Sequence, residues 1–293
     1  MGSMGSVLQG AIEAVTGSHV GESVVVHGGD TSAAFRLDLD DGRRLFAKTH
    51  PRPPAGFFTT EARSLTWLGE TGAANVPAVV AVSDGEPNDP EQPAYLLLDW
   101  IDQGRGNSDT EAEFGRQLAA LHAAGAPSFG RQDRRTTGSR ALPNDPQTTW
   151  SAFYAANRLL PLAAIARDEG SLALATILKL ERLAASLERF EDGEAPARLH
   201  GDLWAGNRLV DTAGRSWIID PAAHGGHREF DLAMMRLFGG FGPGVFRSYQ
   251  EQRPLRDGWQ DRVALHQIAP LVVHAIKFGG SYVHAATAAI ERY

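Results

Sequence analysis

The sequence predicts an α+β fold in which a small antiparallel β-sheet lobe precedes a larger, mainly helical lobe. Two observations lead to this prediction. Short β-rich runs separated by turn residues fill the first hundred positions, whereas apolar residues at helical spacing dominate beyond residue 110. We place the lobe boundary between residues 1–101 and 102–293. Residues 1–3, which precede a second methionine, are interpreted as a cloning remnant and left out of the fold prediction.

Composition excludes several classes of protein. The chain has 293 residues, of which 43% are hydrophobic and 22% charged, enough for one large domain or two coupled lobes. Its net charge of -7 argues against a general nucleic-acid binder, because phosphate backbones are held mainly by Lys and Arg. It has no cysteine, so disulfides, thiolate zinc sites and cysteine nucleophiles are excluded. No apolar run approaches the roughly 20 residues of a membrane span, and we expect a cytoplasmic protein without membrane partners.

The N-terminal lobe is predicted to contain five strands and two helices. The helices cover residues 7–17 and 57–71, and the strands cover residues 23–27, 35–39, 44–49, 76–82 and 95–101. A turn of small residues, Gly28-Gly29-Asp30-Thr31-Ser32, joins the first two strands, and its backbone amides can face phosphates. Gly28, Gly29 and Ser32 are therefore candidate nucleotide contacts, although a glycine pair alone is more often a plain turn.

Two further features of this lobe suit nucleotide binding. Lys48 lies near the end of the third strand and Glu61 in the first turns of the next helix, which is the order of the ion pair that positions ATP phosphates in kinases. Taken singly, Lys48 is typical of a solvated strand and Glu61 of a helix start. Asp99 and Ile101, at the end of the fifth strand, are predicted to form a hinge whose backbone pairs with an adenine edge.

The stretch 200–207, His-Gly-Asp-Leu-Trp-Ala-Gly-Asn, is the strongest chemical signal. Asp202 stands five residues before Asn207, and a predicted hairpin returns the chain to Asp220 beside the same loop. A carboxylate and an amide oxygen suit Mg²⁺, which leaves Asp202 to accept the proton of an attacking hydroxyl. Each acid alone is as consistent with a turn or a helix cap. The ordered set that predicts a phosphotransferase is Lys48, Glu61, Asp202, Asn207 and Asp220.

The C-terminal lobe is predicted to consist of helices around this loop. They cover residues 111–124, 149–168 and 171–190, with two more segments within residues 258–292 and a long insertion at residues 126–147. Asp231 opens an apolar helix and is predicted to accept hydrogen bonds from the catalytic-loop backbone. His122 is interpreted as a helix-end residue near the negative pole of the dipole. His224 and His227 near Asp220 are possible zinc ligands, but the Gly-Gly between them disfavours a fixed ligand spacing.

The sequence resembles the fructosamine kinase family (ketosamine 3-kinases), a branch of the aminoglycoside/choline kinase-like superfamily. The resemblance rests on the 200–207 stretch with its Trp204, on residues 220–222, and on residues 226–234, Gly-His-Arg-Glu-Phe-Asp-Leu-Ala-Met. It implies a two-lobed protein-kinase-like fold. It also implies ATP- and Mg²⁺-dependent phosphorylation of the 3-hydroxyl of a ketosamine such as fructoselysine or ribuloselysine, a protein deglycation chemistry.

The resemblance also implies roles for individual residues. Asp202 would be the base, Asn207 and Asp220 the magnesium ligands, and Lys48 with Glu61 the phosphate-positioning pair. Trp204, whose aromatic face suits the C–H surface of a sugar, and His274 would contact the substrate. The C-terminal run at residues 270–276 is more apolar than is usual in the family. The cysteine that eukaryotic members carry in the Gly-rich loop is absent.

Two alternative functions stay open on the sequence. One is a kinase of another hydroxylated amine, of the aminoglycoside or thiosugar type. The other is a nucleotide-binding module without catalysis, although the expected catalytic residue types are present. A monomer is favoured, and the substrate is expected to be a free or protein-bound ketosamine.

Overall fold

The N-terminal part of the molecule is built on one antiparallel sheet. The computed structural model describes residues 4–26, 32–86, 89, 91–132, 136–137 and 142–293. Within them the sheet has five strands: β1 (Val20–Val26), β2 (Ala33–Leu39), β3 (Arg44–Thr49), β4 (Val79–Ser83) and β5 (Tyr95–Asp99). Their order across the sheet is β1-β2-β3-β5-β4, so the fifth strand inserts beside the third. The fourth strand begins three residues later than predicted.

Each face of this sheet is covered by one helix. Helix α1 (Ser6–Thr16) contributes Ile12 to a buried cluster that includes Leu37 and Leu45, and helix α2 (Phe57–Gly69) contributes Leu65 to another that includes Leu96. The strands can serve two cores because successive side chains of a strand point to opposite faces. Helix α2 also carries Glu61, so its packing fixes where that carboxylate stands.

Helices dominate the rest of the described chain. They are α3 (Ser108–Ala123), α4 (Trp150–Tyr154), α5 (Leu160–Asp168), α6 (Leu174–Ala184), α7 (Glu229–Phe238), α8 (Pro243–Gln252), α9 (Trp259–Phe278) and α10 (Ser281–Ile290). One buried cluster gathers side chains from α4, α5, α6, α9 and α10, and a second lies between α3, α7 and α8. In the described residues we find no helix that is long and apolar enough to cross a membrane.

The helix predicted over residues 149–168 is interrupted by one wide turn. Residues Ala155–Leu159 form a π-helix between α4 and α5. The extra residue in this turn buries both Asn157 and Arg158. Arg158 donates to the carbonyl of Pro143 at 2.7 Å and to Oδ1 of Asn144 at 3.0 Å, and burial lowers its pKa to about 9. The buried Arg158 side chain thus holds the end of the insertion that precedes α4.

Helix α9 continues through a proline. Pro270 has no N–H to offer the carbonyl of His266 one turn earlier. The hydroxyl of Tyr154 lies 3.0 Å from the carbonyl of Leu265 and 3.3 Å from that of His266, so its single hydrogen is shared between the two. Helix α4 therefore supplies a polar contact to α9 at the turn before the proline.

Three short antiparallel pairs complete the described fold. They are β6 (Thr136–Thr137) with β7 (Leu142–Pro143), β8 (Ala197–Leu199) with β11 (His224–Gly226), and β9 (Arg208–Val210) with β10 (Ser216–Ile218). The hairpin predicted between Asn207 and Asp220 is the β9–β10 pair. The β8–β11 pair and helix α8 were not predicted. The helix predicted over residues 171–190 is shorter, since α6 ends at Ala184 and a 3₁₀ turn follows at Leu187–Phe190.

Candidate active site

The loop between β8 and β9 holds Asp202 and Asn207 in direct contact. The Asn207 side chain is buried, and its Nδ2 donates to the backbone carbonyl of Asp202 at 2.8 Å and to Oδ2 of Asp202 at 3.1 Å. The amide nitrogen is thus committed to Asp202. The amide oxygen, Oδ1, has no hydrogen-bond partner among the described residues. An oxygen presented in this way is a suitable ligand for a hard cation.

Asp231 in the first turn of α7 fixes the beginning of this loop. Its buried carboxylate accepts hydrogen bonds from the N–H of His200 at 2.8 Å and of Gly201 at 2.9 Å. The His200 ring then accepts from the N–H of Asp202 through Nδ1 at 3.2 Å and donates through Nε2 to the carbonyl of Ile219 at 2.9 Å. The ring must donate at Nε2 because a carbonyl can only accept. The backbone before Asp202 is therefore held at three consecutive residues.

His122 is a further contact of the Asp231 carboxylate. It lies in the last turn of α3, as predicted, but it is fully buried and its contacts are with side chains. Its Nε2 lies 3.3 Å from Oδ2 of Asp231 and its Nδ1 lies 2.8 Å from the hydroxyl of Tyr249. Burial lowers the pKa of His122 although Asp231 opposes the shift, which favours the neutral ring; Nε2 donates to the carboxylate, since a carboxylate accepts. Sequence spacing gives no signal for this contact, because the partners are more than a hundred residues apart.

Lys48 joins the sheet lobe to the end of β10. Its Nζ lies 2.9 Å from both carboxylate oxygens of Glu61 and 2.6 Å from Oδ1 of Asp220. Asp220 has a positive φ of 53°, a conformation in which Asp is more common than bulkier residues. This backbone turn at the strand end points its carboxylate toward Lys48. Three of the predicted residues thus meet at one ammonium group.

Burial and charge shift the pKa values of this centre. Burial raises the pKa of Asp202 to about 7, the Asn207 amide opposes that shift, and the Asp220 charge adds to it. Burial alone would raise the pKa of Asp220 and lower that of Lys48, but their mutual attraction, with that of Glu61 for the lysine, reverses both directions. Burial raises the pKa of Glu61 and Lys48 opposes it. Burial and the neighbouring acids thus bring the pKa of Asp202 close to neutral pH.

Trp204 presents an aromatic surface next to Asp202. Its side chain is 42% exposed, and its ring stands edge-on to Phe238 with centroids 6.4 Å apart. Gly206 makes room for the indole, because a Cβ at that position would overlap the Trp204 ring. His274 lies behind Phe238, at 4.9 Å between centroids, and its Nδ1 donates to the carbonyl of Pro270 at 2.8 Å. His274 is thus connected to Trp204 through Phe238.

The remaining predicted nucleotide contacts lie along the sheet lobe. Asp99 ends β5 and its N–H donates to the carbonyl of Ala78 at 3.0 Å. The backbone of Ile101 makes no hydrogen bond within the described residues, so it is available to a ligand. Ser32 has a buried hydroxyl without a partner among the described residues. Gly28 and Gly29 lie outside the described residues.

The two histidines weighed as zinc ligands have separate partners. His224 is buried, and its Nδ1 donates to the carbonyl of Ala222 at 2.9 Å. His227 lies with its Nε2 3.2 Å from both carboxylate oxygens of Asp192. Among the described residues Asp220 belongs to no metal-type cluster with them. The geometry gives no support to a zinc site at Asp220.

The fold and the site together define the class of this protein. A strand lysine paired with a helix glutamate, facing an Asp–Asn loop and a second Asp, is the arrangement of kinase-type phosphotransferases. A sequence model of the fructosamine kinase family matches residues 6–293. The chain belongs to the fructosamine kinase family, and it is an ATP-dependent phosphotransferase of the ketosamine kinase kind.

Individual relatives agree with this assignment. A probable ketoamine kinase of Enterococcus faecium is 32% identical over 267 residues, which cover 89% of this chain and 91% of that protein. The crystal structure of a candidate fructosamine-3-kinase from Thermobifida fusca is 36% identical, with a TM-score of 0.89 over 98% of this chain and 99% of that one.

A more distant structural neighbour has the same overall fold. An aminoglycoside phosphotransferase, 16% identical, has a TM-score of 0.63 over 98% of both chains. The predicted α+β, protein-kinase-like fold with a small antiparallel sheet lobe and a mainly helical lobe is confirmed by these neighbours.

Proposed function

We propose that this chain transfers the γ-phosphoryl group of ATP to the 3-hydroxyl of a ketosamine, with Mg²⁺ as cofactor and Asp202 as the base. The observation that supports this most directly is the meeting of Glu61 and Asp220 on the Lys48 ammonium, at 2.9 and 2.6 Å. It brings the lysine–glutamate pair of a nucleotide site to the acid that follows the catalytic loop. In kinases these parts position the phosphates.

The oxygen donors of Asn207 and Asp220 fit magnesium. Oδ1 of Asn207 and the carboxylate of Asp220 would hold the ion, both being hard oxygen donors. When bound, magnesium neutralises charge on the β- and γ-phosphate oxygens. Lys48 supplies a second positive charge for the phosphates, and Glu61 holds it in place. The backbone of Ile101, which has no hydrogen-bond partner among the described residues, would pair with the adenine edge.

Asp202 is suited to take the proton of the acceptor hydroxyl. Asn207 orients its carboxylate from one side, and the N–H of Asp202 is fixed by His200 from the other. Trp204 offers the ring face on which a sugar can lie with its hydroxyl toward Asp202. His274 supports that face through Phe238. Asp231 keeps the loop backbone in place without touching the reacting atoms.

The test is phosphorylation of fructoselysine and ribuloselysine in the presence of ATP and Mg²⁺. We expect transfer to the 3-hydroxyl, identified by NMR of the product, and a loss of at least about a hundredfold in kcat for Asp202→Asn, since a positioned base contributes that much or more. Asp257→Asn, at an exposed residue, is the matched control and should keep full activity. Transfer to another hydroxyl, or full activity of Asp202→Asn, would contradict the proposal.

A further inference from the structure

We propose that Arg198 and Arg131 are positioning residues that hold the Lys48–Glu61 pair in place by clamping Trp67 of helix α2. We call the set Arg131, Trp67 and Arg198 the arginine–tryptophan clasp. The inference rests on the proposed function in one respect, since it assigns Lys48 and Glu61 to ATP. It adds residues that no sequence motif of the nucleotide site contains.

Both arginines contact the same indole. The guanidinium carbon of Arg198 lies 4.3 Å from the Trp67 ring centroid, and that of Arg131 lies 4.7 Å from it. Both distances are within the range of cation–π attraction. Arg198 also donates through Nη1 to the backbone carbonyl of Trp67, and Arg131 lies with Nη1 3.4 Å from the hydroxyl of Ser64. Ser64 is one helical turn beyond Glu61, so the clasp acts on the helix directly after the glutamate.

Both arginines of the clasp lie on backbone segments that connect to the loop of Asp202. Arg198 lies in β8, opposite Gly225 of β11, and four residues later the chain reaches Asp202. Gly225 exchanges two backbone hydrogen bonds with Gly130, at 2.7 and 3.1 Å, and Arg131 follows at once. Both arginines therefore extend from one short framework. That framework connects the loop of the base to the helix of the glutamate.

The two ends of α2 are held by different parts of the molecule. At its start, the N–H groups of Phe58 and Thr59 donate to the Asp84 carboxylate at 2.8 and 3.1 Å. At its end, Leu68 is buried in the cluster between α3, α7 and α8, while Leu65 belongs to the core of the sheet lobe. The helix thus crosses from one core to the other. The clasp adds directional polar contacts at the crossing point.

This arrangement has a consequence for ATP binding. In kinases the lysine–glutamate pair is productive only when the helix that carries the glutamate is correctly placed. Here the contacts of Arg198 and Arg131 with Trp67, made from the backbone framework next to the loop of Asp202, keep the helix in that place. Loss of the clasp should let Glu61 move away from Lys48, so that ATP binds more weakly while the ketosamine surface at Trp204 is unchanged.

The first measurement is the Kd for ATP and the KM for each substrate in Arg198→Ala and Arg131→Ala. We expect the Kd and KM for ATP to rise by about tenfold, with less than a twofold change in KM for the ketosamine. Arg189→Ala is the matched control, because Arg189 makes the same type of contact with Phe190 at 4.7 Å, remote from α2. It should change neither constant. Equal increases in both KM values in the clasp variants would overturn the proposal.

A double-mutant cycle separates positioning from simple loss of stability. If Arg198 acts through Glu61, Arg198→Ala should weaken ATP binding far less in the Glu61→Gln background than in the wild type. Arg198→Lys, which keeps the charge, should restore part of the affinity. Equal losses in both backgrounds would refute the assignment. Because ATP binding is measured without any acceptor, the result stands apart from the ketosamine proposal, which fails only if phosphorylation of the adducts fails in the wild type.

Discussion

At the scale of single residues, Lys48 carries the positive charge on which two carboxylates of the site depend. Its ammonium lies between the carboxylates of Glu61 and Asp220, and the Lys48 side chain is only 15% exposed. Removal of the cation leaves two carboxylates near each other in a poorly solvated place. Loss of the Lys48 charge should destabilise the fold, because desolvated charges without a partner are far less stable than the same charges in water.

We therefore predict that Lys48→Met lowers the free energy of unfolding by about 2–3 kcal/mol, below the penalty of a fully buried pair because Asp220 is 39% exposed. Urea unfolding at pH 7.5 measures this change. Lys179→Met is the control, since Lys179 pairs with Glu291 on the surface at 3.0 Å and such pairs contribute less than about 1 kcal/mol. Equal losses in the two variants would show that Lys48 is not held by a desolvated ion pair.

The sequence identifies some residues of the site by type and order, and others not at all. Lys48, Glu61 and Asp220 follow the order of a kinase, and the structure brings their charges within hydrogen-bond distance. His122 and Arg198 have no such signal. Each is a common residue type at an unremarkable position, and its partner lies far away in the chain, so only the folded contacts show what it does. The roles of the predicted site residues stay predictions.

At the scale of elements, the short β8–β11 pair shows how a glycine sets the distance between segments. Gly225 packs directly on the loop at residues 126–130, and a Cβ there would overlap the carbonyl of Ser128. That oxygen belongs to the backbone, so it cannot rotate away as a flexible side chain can. The close approach is what allows Gly225 and Gly130 to exchange hydrogen bonds.

We predict that Gly225→Ala destabilises the protein by several kcal/mol, because the two segments must separate and lose those hydrogen bonds. Gly10→Ala is the matched control. Gly10 lies inside α1 on an exposed surface, with nothing within 4 Å of an added Cβ, so the change should stabilise the protein by about 0.5–1 kcal/mol. Thermal unfolding of both variants tests whether Gly225→Ala lowers the stability and Gly10→Ala raises it. A stabilised Gly225→Ala protein would mean that the loop is not packed as described.

Element prediction succeeded where periodicity was clear and failed where tertiary contacts decide. Strand β2 alternates in period two over residues 35–39, and β3 follows a clear hairpin turn; the predicted bounds of the two strands match or lie within two residues. The π-turn at Ala155–Leu159 has no sequence period of its own and is stabilised by the contacts of Arg158. The three residues of β11 include two glycines, which are typical of turns, and the strand exists because β8 pairs with it.

At the scale of the whole molecule, the fold class followed from the change of period along the chain, and the neighbours confirm it. The two cores share helix α2, which the sequence did not indicate. Leu65 and Leu68 are one turn apart and look alike in the sequence, yet each is buried in a different cluster. The division into residues 1–101 and 102–293 therefore stays a prediction, since one helix of the first part has its end in the core of the second.

Buried histidines tie the stability of the whole molecule to pH. Burial lowers the pKa of His266 to about 4, although the nearby Glu229 carboxylate opposes the shift, and burial lowers the pKa of His224 to about 3. In an unfolded chain a histidine has a pKa near 6.5. As the pH falls below about 6.5, the unfolded state takes up protons that the folded state refuses. The stability that these two histidines contribute above pH 6.5 is thus lost progressively toward pH 4.

We predict that His266→Gln reduces the slope of the unfolding free energy against pH by about one proton between pH 6.5 and 4, or roughly 1.4 kcal/mol per pH unit. The raised pKa values of Asp202 and Glu61 act in the opposite direction in the same range, so the comparison is made between the variant and the wild type at each pH. Urea unfolding at a series of pH values measures the slope. His284→Gln, at an exposed position of α10, is the control variant. An unchanged slope in His266→Gln would place the lost protons elsewhere. A reduced slope would show that His266, whose ring packs 5.0 Å from that of His227, contributes to the loss of stability in acid.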